Sequence, residues 1–174
     1  MNSIDANISG TGDKRRQFPS GRKLFTRLFL VGMIAIGFLL YMSNSASRPG
    51  NLGADGGRLA PCPDSPNCVS SQADPEDSHY IEPMAYIDGA SDQTYEAVAE
   101  YLLDLPRTNI VTKQKTYLHV ECTSMIFRFV DDLEIVFDHE AQLVHFRSAS
   151  RVGHSDLGAN RRRVEKLKKA VTGG

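Results

Sequence analysis

The spacing of hydrophobic positions changes along the chain, and each change marks a new element. Residues 28–42 (LFLVGMIAIGFLLYM) form an unbroken apolar run. Residues 43–60 (SNSASRPGNLGADGGRLA) have no periodicity and are rich in Ser, Asn and Gly, the composition of a flexible tether. HYIEPMAYI, residues 79–87, predicts an extended segment. Ser91 is placed to cap a helix over 92–105, in which Tyr95, Val98, Leu102 and Leu105 step by three and four and Pro106 stops the run. Strand signals follow at 110–114, 117–124 and 133–138, and in the last of these Leu133, Ile135 and Phe137 alternate with Glu134, Val136 and Asp138. HEAQ turns the chain into another strand at 143–150, and the periodicity leaves 125–130 open between a strand and a buried connection. A last helix is predicted over 156–171, with the stripe Leu157, Asn160, Val164, Leu167 and Val171.

These elements make an α+β domain. The expected fold is a small antiparallel sheet of about four to five strands with two helices packed on one face, since such a sheet needs only one face covered. A transmembrane or signal segment precedes it. The organisation is then a basic N-terminal segment 1–27, an anchor or signal core 28–42, a linker 43–60 and one globular domain 61–171. A chain of 174 residues has room for one such core and no more.

Charge changes the picture because it is unevenly spread. The formal total is −1, yet residues 59–141 carry four basic and sixteen acidic side chains, a net −12. Residues 142–174 carry eight basic and two acidic, a net +6. Residues 1–27 hold six basic side chains against two acidic ones, a net +4, directly before the apolar run. Because only Arg48 follows the run closely, that asymmetry predicts a cytoplasmic N-terminus and an extracytoplasmic domain. The run is short for a spanning helix and long for a signal core, and Leu24, Phe25 and the stem of Arg27 extend it. The long lead and the lack of an A-x-A site favour an uncleaved anchor over a cleaved signal, which would leave a periplasmic or secreted domain. Arg15-Arg16-Gln17-Phe18 is similar to a twin-arginine export signal but lies far ahead of the run.

In an oxidising compartment, Cys62 and Cys68 in PCPDSPNCVSSQ read as a disulfide closing a small turn-rich loop. Their spacing suits neither a paired zinc knuckle nor a C-x-x-C redox pair. Cys122 alternates with Leu118 and Val120 on an apolar strand face and reads as a buried inert thiol.

PCPDSPNCVSSQ, FVDDLE and RSASRVGHSDLGANRRRVE, in this order, resemble the bacterial and plastid family called domain of unknown function 1499, over about residues 59–171. The resemblance implies a small extracytoplasmic or lumenal domain, often behind a signal or anchor. It brings no established activity and no catalytic residues to carry over.

Candidate chemistry gathers at the junction of the last strand and last helix. Arg147, Ser148, Ser150, Arg151 and Asn160 are expected around the start of that helix, with Asp156 (or Ser155) as its N-cap. Gly153 and Gly158 leave backbone N–H groups approachable there, the chemistry of an anion or carboxylate pocket. The competing reading is structural: Arg147 and Arg151 answer chiefly to the protein's own carboxylates, Asp131 and Asp132 foremost. Those two acids point to opposite faces of a strand, so they do not form a catalytic pair. The sequence contains no G-x-S-x-G, H-E-x-x-H or glycine-rich phosphate loop, and no catalytic residue, metal site or cofactor is assigned. His154 beside Asp156 reads as plain surface. The reading that follows is a non-catalytic binding or scaffold module of the cell envelope. The alternative is an envelope enzyme or a small anionic-ligand-binding protein using loop 147–160. The expected partners are the membrane through residues 28–42 and an envelope protein, an anionic small molecule or a lipid headgroup. Nucleic acid is excluded by location.

Overall fold

The computed structural model describes residues 21–173. Lys14 and the Arg15–Phe18 quartet therefore lie outside the described residues. Helix α1, Gly21–Ser45, contains the apolar run and extends it upstream. Its apolar span is Gly21–Tyr41, with a mean hydropathy of 2.1 over the most apolar window. At about 1.5 Å per residue this covers roughly 30 Å, the thickness of a bilayer's hydrocarbon core. Most large apolar side chains of that span, Phe25 and Ile34 among them, are exposed.

The remainder is α+β, as the periodicity predicts. A β1–β2 hairpin (Ala54–Asp55, Arg58–Leu59) turns at Gly56 and Gly57. Both glycines have positive φ, 53° and 79°, the conformation a two-residue hairpin turn of this hand requires. The main sheet runs in the order β3 (Cys68–Ser70), β8 (Leu143–Ser150), β7 (Val130–Asp138), β6 (Tyr117–Thr123), β5 (Thr108–Lys113). Strand β4 (Met84–Ala85) also pairs with β8, and all these pairings are antiparallel. The sheet thus has six strands rather than four or five. Strand β4 falls within the extended segment expected at 79–87, and the unanticipated strand is the short β3, which shares the edge of β8 with it and carries too few residues to show a periodicity of its own.

Helices α2 (Ser91–Asp104) and α3 (Ala159–Thr172) pack on the face formed by Leu118, Val120 and Cys122, by Leu133, Ile135 and Phe137, and by Val144 and Phe146. They contribute Val98, Leu102, Val164 and Leu167 to this core. The helix starts differ from expectation. Ser91 makes no capping bond; instead Thr94 Oγ1 donates to the Ala90 carbonyl at 2.7 Å and accepts from the Ile87 N–H at 2.8 Å. Helix α3 begins at Ala159, and Gly158, not Asp156, stands at its N-cap position. Leu157, expected on the core stripe, precedes the helix at φ 53° and is 85% exposed. The undecided stretch is a turn, with Met125 and Ile126 exposed, and β7 starts at Val130.

The second face of the sheet is where the structure departs furthest from expectation. An antiparallel sheet can leave that face to water. Here Tyr117, His119, Asp132, Glu134, Val136 and Arg147 lie on it and are all buried. The covering comes from residues 48–63, most of them expected to be tether. Leu59 packs with Tyr117 and Val136, Gly53 N–H donates to Glu134, and Arg48 pairs with Glu121. The cover on this face thus reaches back along the chain as far as Arg48.

Candidate functional site

The register of β7 against β8 sets Glu134 directly opposite Arg147. Arg147 Nη1 donates to Glu134 Oε2 at 2.8 Å, and the glutamate is fully buried. Its other oxygen accepts from the Tyr117 hydroxyl and from the Gly53 N–H, each at 2.8 Å. A carboxylate with three donors is well compensated for leaving water. Burial, followed by the hydrogen bond to Glu134, pushes the Tyr117 hydroxyl well above the usual phenol range. Among the described residues Arg147 Nε is the one buried side-chain nitrogen or oxygen without a partner.

Two positions along β7, Asp132 faces the same side. Arg151, just past the end of β8, grips it with two bonds, Nε to Oδ2 at 2.8 Å and Nη2 to Oδ1 at 2.7 Å. His119 Nε2 lies 2.8 Å from Oδ1. Arg151 also meets Glu121, which Arg48 holds from the other side at 2.8 Å. Burial pushes the Asp132 carboxyl up, but the bonds from Arg151 and His119 outweigh it and hold the group below its ordinary 3.8. The same contest, with Arg151 and Arg48 on the winning side, holds Glu121 below its ordinary 4.5. The hydrogen bond to Asp132 is the main reason Arg151 binds its proton more tightly than usual.

On the helix side of the sheet a separate cluster forms around Asn160, which is 1% exposed. Its amide oxygen accepts from Ser148 Oγ at 2.6 Å and from Arg163 Nη1 at 2.5 Å. Its amide nitrogen donates to the Asn67 carbonyl at 2.9 Å and to Ser150 Oγ at 3.0 Å. Arg163 Nη2 reaches Asp131 at 2.6 Å. The start of α3 is occupied by the chain's own Asp156, whose carboxylate accepts the N–H groups of Gly158 and Asn160 at 2.9 and 2.6 Å.

The sheet thus divides the residues that the sequence placed in one pocket. Arg147 and Arg151 lie on the outer face with Asp132. Ser148, Ser150, Asn160 and Asp131 lie on the helix face. The expected pairing is corrected in part. Arg151 meets Asp132, but Arg147 meets Glu134, and Asp131 belongs to Arg163. Sequence reasoning missed Glu134, Glu121, His119, Tyr117, Arg163 and Arg48. A signal existed for Glu134: a carboxylate between Leu133 and Ile135, on a strand hairpinned to one with an arginine four residues from its start. The expected disulfide joins Cys62 to Cys68, and Cys122 is free and buried among the described residues.

Two hollows adjoin the outer network. One of about 380 Å³ is bordered by Arg147, Arg151, Asp132, Asn51 and Cys62. A cleft of about 930 Å³ opens between residues 48–57 and the strands, with Tyr117 and His119 in its wall. The network itself is charge-neutral: the guanidiniums of Arg48, Arg147 and Arg151 face the carboxylates of Glu121, Asp132 and Glu134. Among the described residues no three His, Cys, Asp or Glu side chains are grouped to hold a metal ion.

A helix long and apolar enough to span a bilayer, a disulfide-closed loop and an α+β domain with a buried ionic layer define the class of protein. The chain belongs to the family described as "Protein of unknown function (DUF1499)", which matches residues 58–171, from the start of β2 into the last turn of α3. No curated protein matches the chain.

Proposed function

We propose that this chain is a membrane-anchored, extracytoplasmic module of the cell envelope that acts by binding or scaffolding rather than by catalysis. The observation that carries the reading is the closure of the arginine cluster by the protein's own acids. Every guanidinium of the outer layer meets a carboxylate, and Asp156 fills the start of α3. Groups committed in this way hold a fold together; they are not poised for a substrate. The apolar span Gly21–Tyr41 and the Cys62–Cys68 bond support the anchor and an oxidising surrounding. Paired reporter fusions at Gly174 test the location. Alkaline phosphatase is expected to be active and green fluorescent protein dark, and the reverse pattern overturns the reading. Native mass spectrometry of the detergent-solubilised chain tests the rest, with the unliganded mass expected.

One observation favours a second reading, a site for a small carboxylate. Arg147 Nε is buried without a partner beside the 380 Å³ hollow. A metabolite anion retained by the parent and lost in Arg147→Met would establish that reading in place of the first.

A further inference from the structure

Exposed apolar side chains scattered singly over a surface need no explanation. Those of this domain are not scattered. Among the described residues, the large apolar side chains exposed outside α1 are Leu103, Met125, Ile126 and Leu157. The strand register places all four at one end of the sheet. Thr123 pairs with Val130, Asp131 with Ser150 and Thr108 with Cys122, so the β6–β7 turn, the β8–α3 loop and the start of β5 share that end. Met125 and Ile126 form the tip of the turn, and Leu157 lies in the loop. Leu103 is in the last turn of α2, which feeds β5 through Leu105, Pro106 and Arg107. A hollow of about 310 Å³ there is lined jointly by the α2 end, the strand ends and the first turns of α3.

The same end is basic. Arg107, Arg128, Arg162 and Lys166 are exposed on these segments, against Asp104 and Glu165. In a body whose residues 59–141 are strongly acidic, this local excess of positive charge is a reversal. Apolar tips set among arginines and lysines suit the boundary between lipid headgroups and acyl chains.

The tether points to the same place. Residues 42–47 separate Tyr41, the end of the apolar span, from Arg48, which is fixed to Glu121 near the end of β6. A stretch that short reaches at most about 25 Å. From Glu121 the strand runs only to Thr123 before the Met125–Ile126 turn.

We infer that this end of the sheet, with Met125, Ile126, Leu103 and Leu157 as apolar contacts and Arg107, Arg128, Arg162 and Lys166 around them, is a docking surface for the anionic lipid bilayer in which α1 is embedded. The inference rests on the anchor reading above. The domain then lies against its own membrane and presents the β7–β8 hairpin end outward.

The chain contains no Trp, so a single introduced one is a clean reporter. Full-length Ile126→Trp and Glu140→Trp, the latter on the hairpin at the opposite end, are reconstituted into phosphatidylcholine vesicles with and without phosphatidylglycerol, carrying brominated lipid as quencher. Flotation reports the anchor, and emission reports docking. The expected result is that both variants float and that Ile126→Trp alone is blue-shifted and quenched, more strongly with phosphatidylglycerol. Floating protein with Ile126→Trp no more quenched than Glu140→Trp overturns the docking surface and leaves the anchor standing. Quenching equal in the two vesicle types overturns the assignment of anionic headgroups. A chain that does not float overturns the anchor and the docking surface together.

Discussion

Arg151 and Asp132 form a two-pronged ion pair, with both carboxylate oxygens accepting from one guanidinium at 2.7–2.8 Å and both side chains at least nine-tenths buried. Removing one partner leaves the other charge buried and uncompensated, at a cost of about 3–5 kcal/mol when the pair is fully buried. Arg151→Ala is expected to approach that figure in denaturant unfolding and to melt well below the parent. Arg151→Lys keeps the charge but loses the fork, and is expected to fall between the two. A variant that melts like the parent would show that the pair does not hold the fold.

Glu134 and Arg147 permit a sharper test, because hydrophobic replacement of a whole buried pair is often neutral or stabilising whereas removal of one member is not. Glu134→Leu and Arg147→Met are each expected to lose several kcal/mol, about 3–5 by the same reasoning. The double variant is expected to recover most of that loss. The cycle isolates the coupling between them. Additive losses would mean that Tyr117 and Gly53, not Arg147, carry the glutamate.

The Cys62–Cys68 bond closes a short loop leading directly into β3. On a chain-entropy basis so short a loop is worth about 2 kcal/mol, and reduction is expected to lower stability by that amount without unfolding the domain. Cys122 lies in the core, and burial pushes its thiol above the ordinary value of 9.0. It is expected to resist maleimide until denaturant is added. Mass mapping that finds Cys122 in a disulfide would contradict both statements.

Much of the fold was legible in the sequence because it rests on local periodicity. The stripe Val98 and Leu102, the alternation of Leu133, Ile135 and Phe137, and the stop before Pro106 each record a burial pattern directly. The outer layer was not legible, for a physical reason. Glu134 and Asp132 alternate with apolar residues just as solvent-facing positions do, and period two cannot tell water from a covering segment. That cover, residues 48–63, has the glycine-rich, aperiodic composition of a linker because it crosses the sheet with little regular structure. Its contacts are made by backbone, as at Gly53, or by residues far apart in sequence, as at Arg48 and Glu121. The partners of Arg147 and Asp131 depended on a register that pairs Glu134 with Arg147 and Asp131 with Ser150. Hydrophobic periodicity locates the strands but not which residues stand opposite one another, nor that Arg163 of the last helix reaches Asp131.

Stability is expected to fall with acid in two stages. Burial holds the His145 imidazole below its ordinary 6.5. Asp132 and Glu121 sit below their ordinary 3.8 and 4.5. In each case the folded chain binds protons less readily than the unfolded one. The contribution is therefore full above the unfolded value and is lost as pH falls through it towards the folded value. A shallow decline is expected to begin near pH 6.5 and a steeper one below about 4.5. His145→Gln is expected to remove the first limb only, read from denaturant midpoints across the range. A midpoint unchanged between neutrality and pH 4 would contradict the assignment to His145.

Asn160 ties the entry to β3, strand β8 and helix α3 together by hydrogen bonds: to the carbonyl of Asn67 just before β3, to Ser148 and Ser150 on β8, and to Arg163 one turn along α3. Its four bonds use both donors and the acceptor of the amide, a complete assignment for a group at 1% exposure. Asn160→Ala leaves the Asn67 carbonyl and Ser150 Oγ without this donor and opens a small void, a combination costing about 1–3 kcal/mol. Asn160→Asp tests the polarity of the arrangement. The carboxylate keeps the acceptor towards Ser148 and Arg163 but has no N–H for Asn67 or Ser150. It also adds a negative charge beside Asp131, which Arg163 must then share. Asn160→Asp is therefore expected to destabilise more than the alanine variant at neutral pH and to regain stability as the new carboxyl is protonated. Equal losses in the two variants at every pH would mean that Asn160 acts through its volume alone, and that the stitch between β3, β8 and α3 is made by packing of Val164 and Leu167 rather than by the amide.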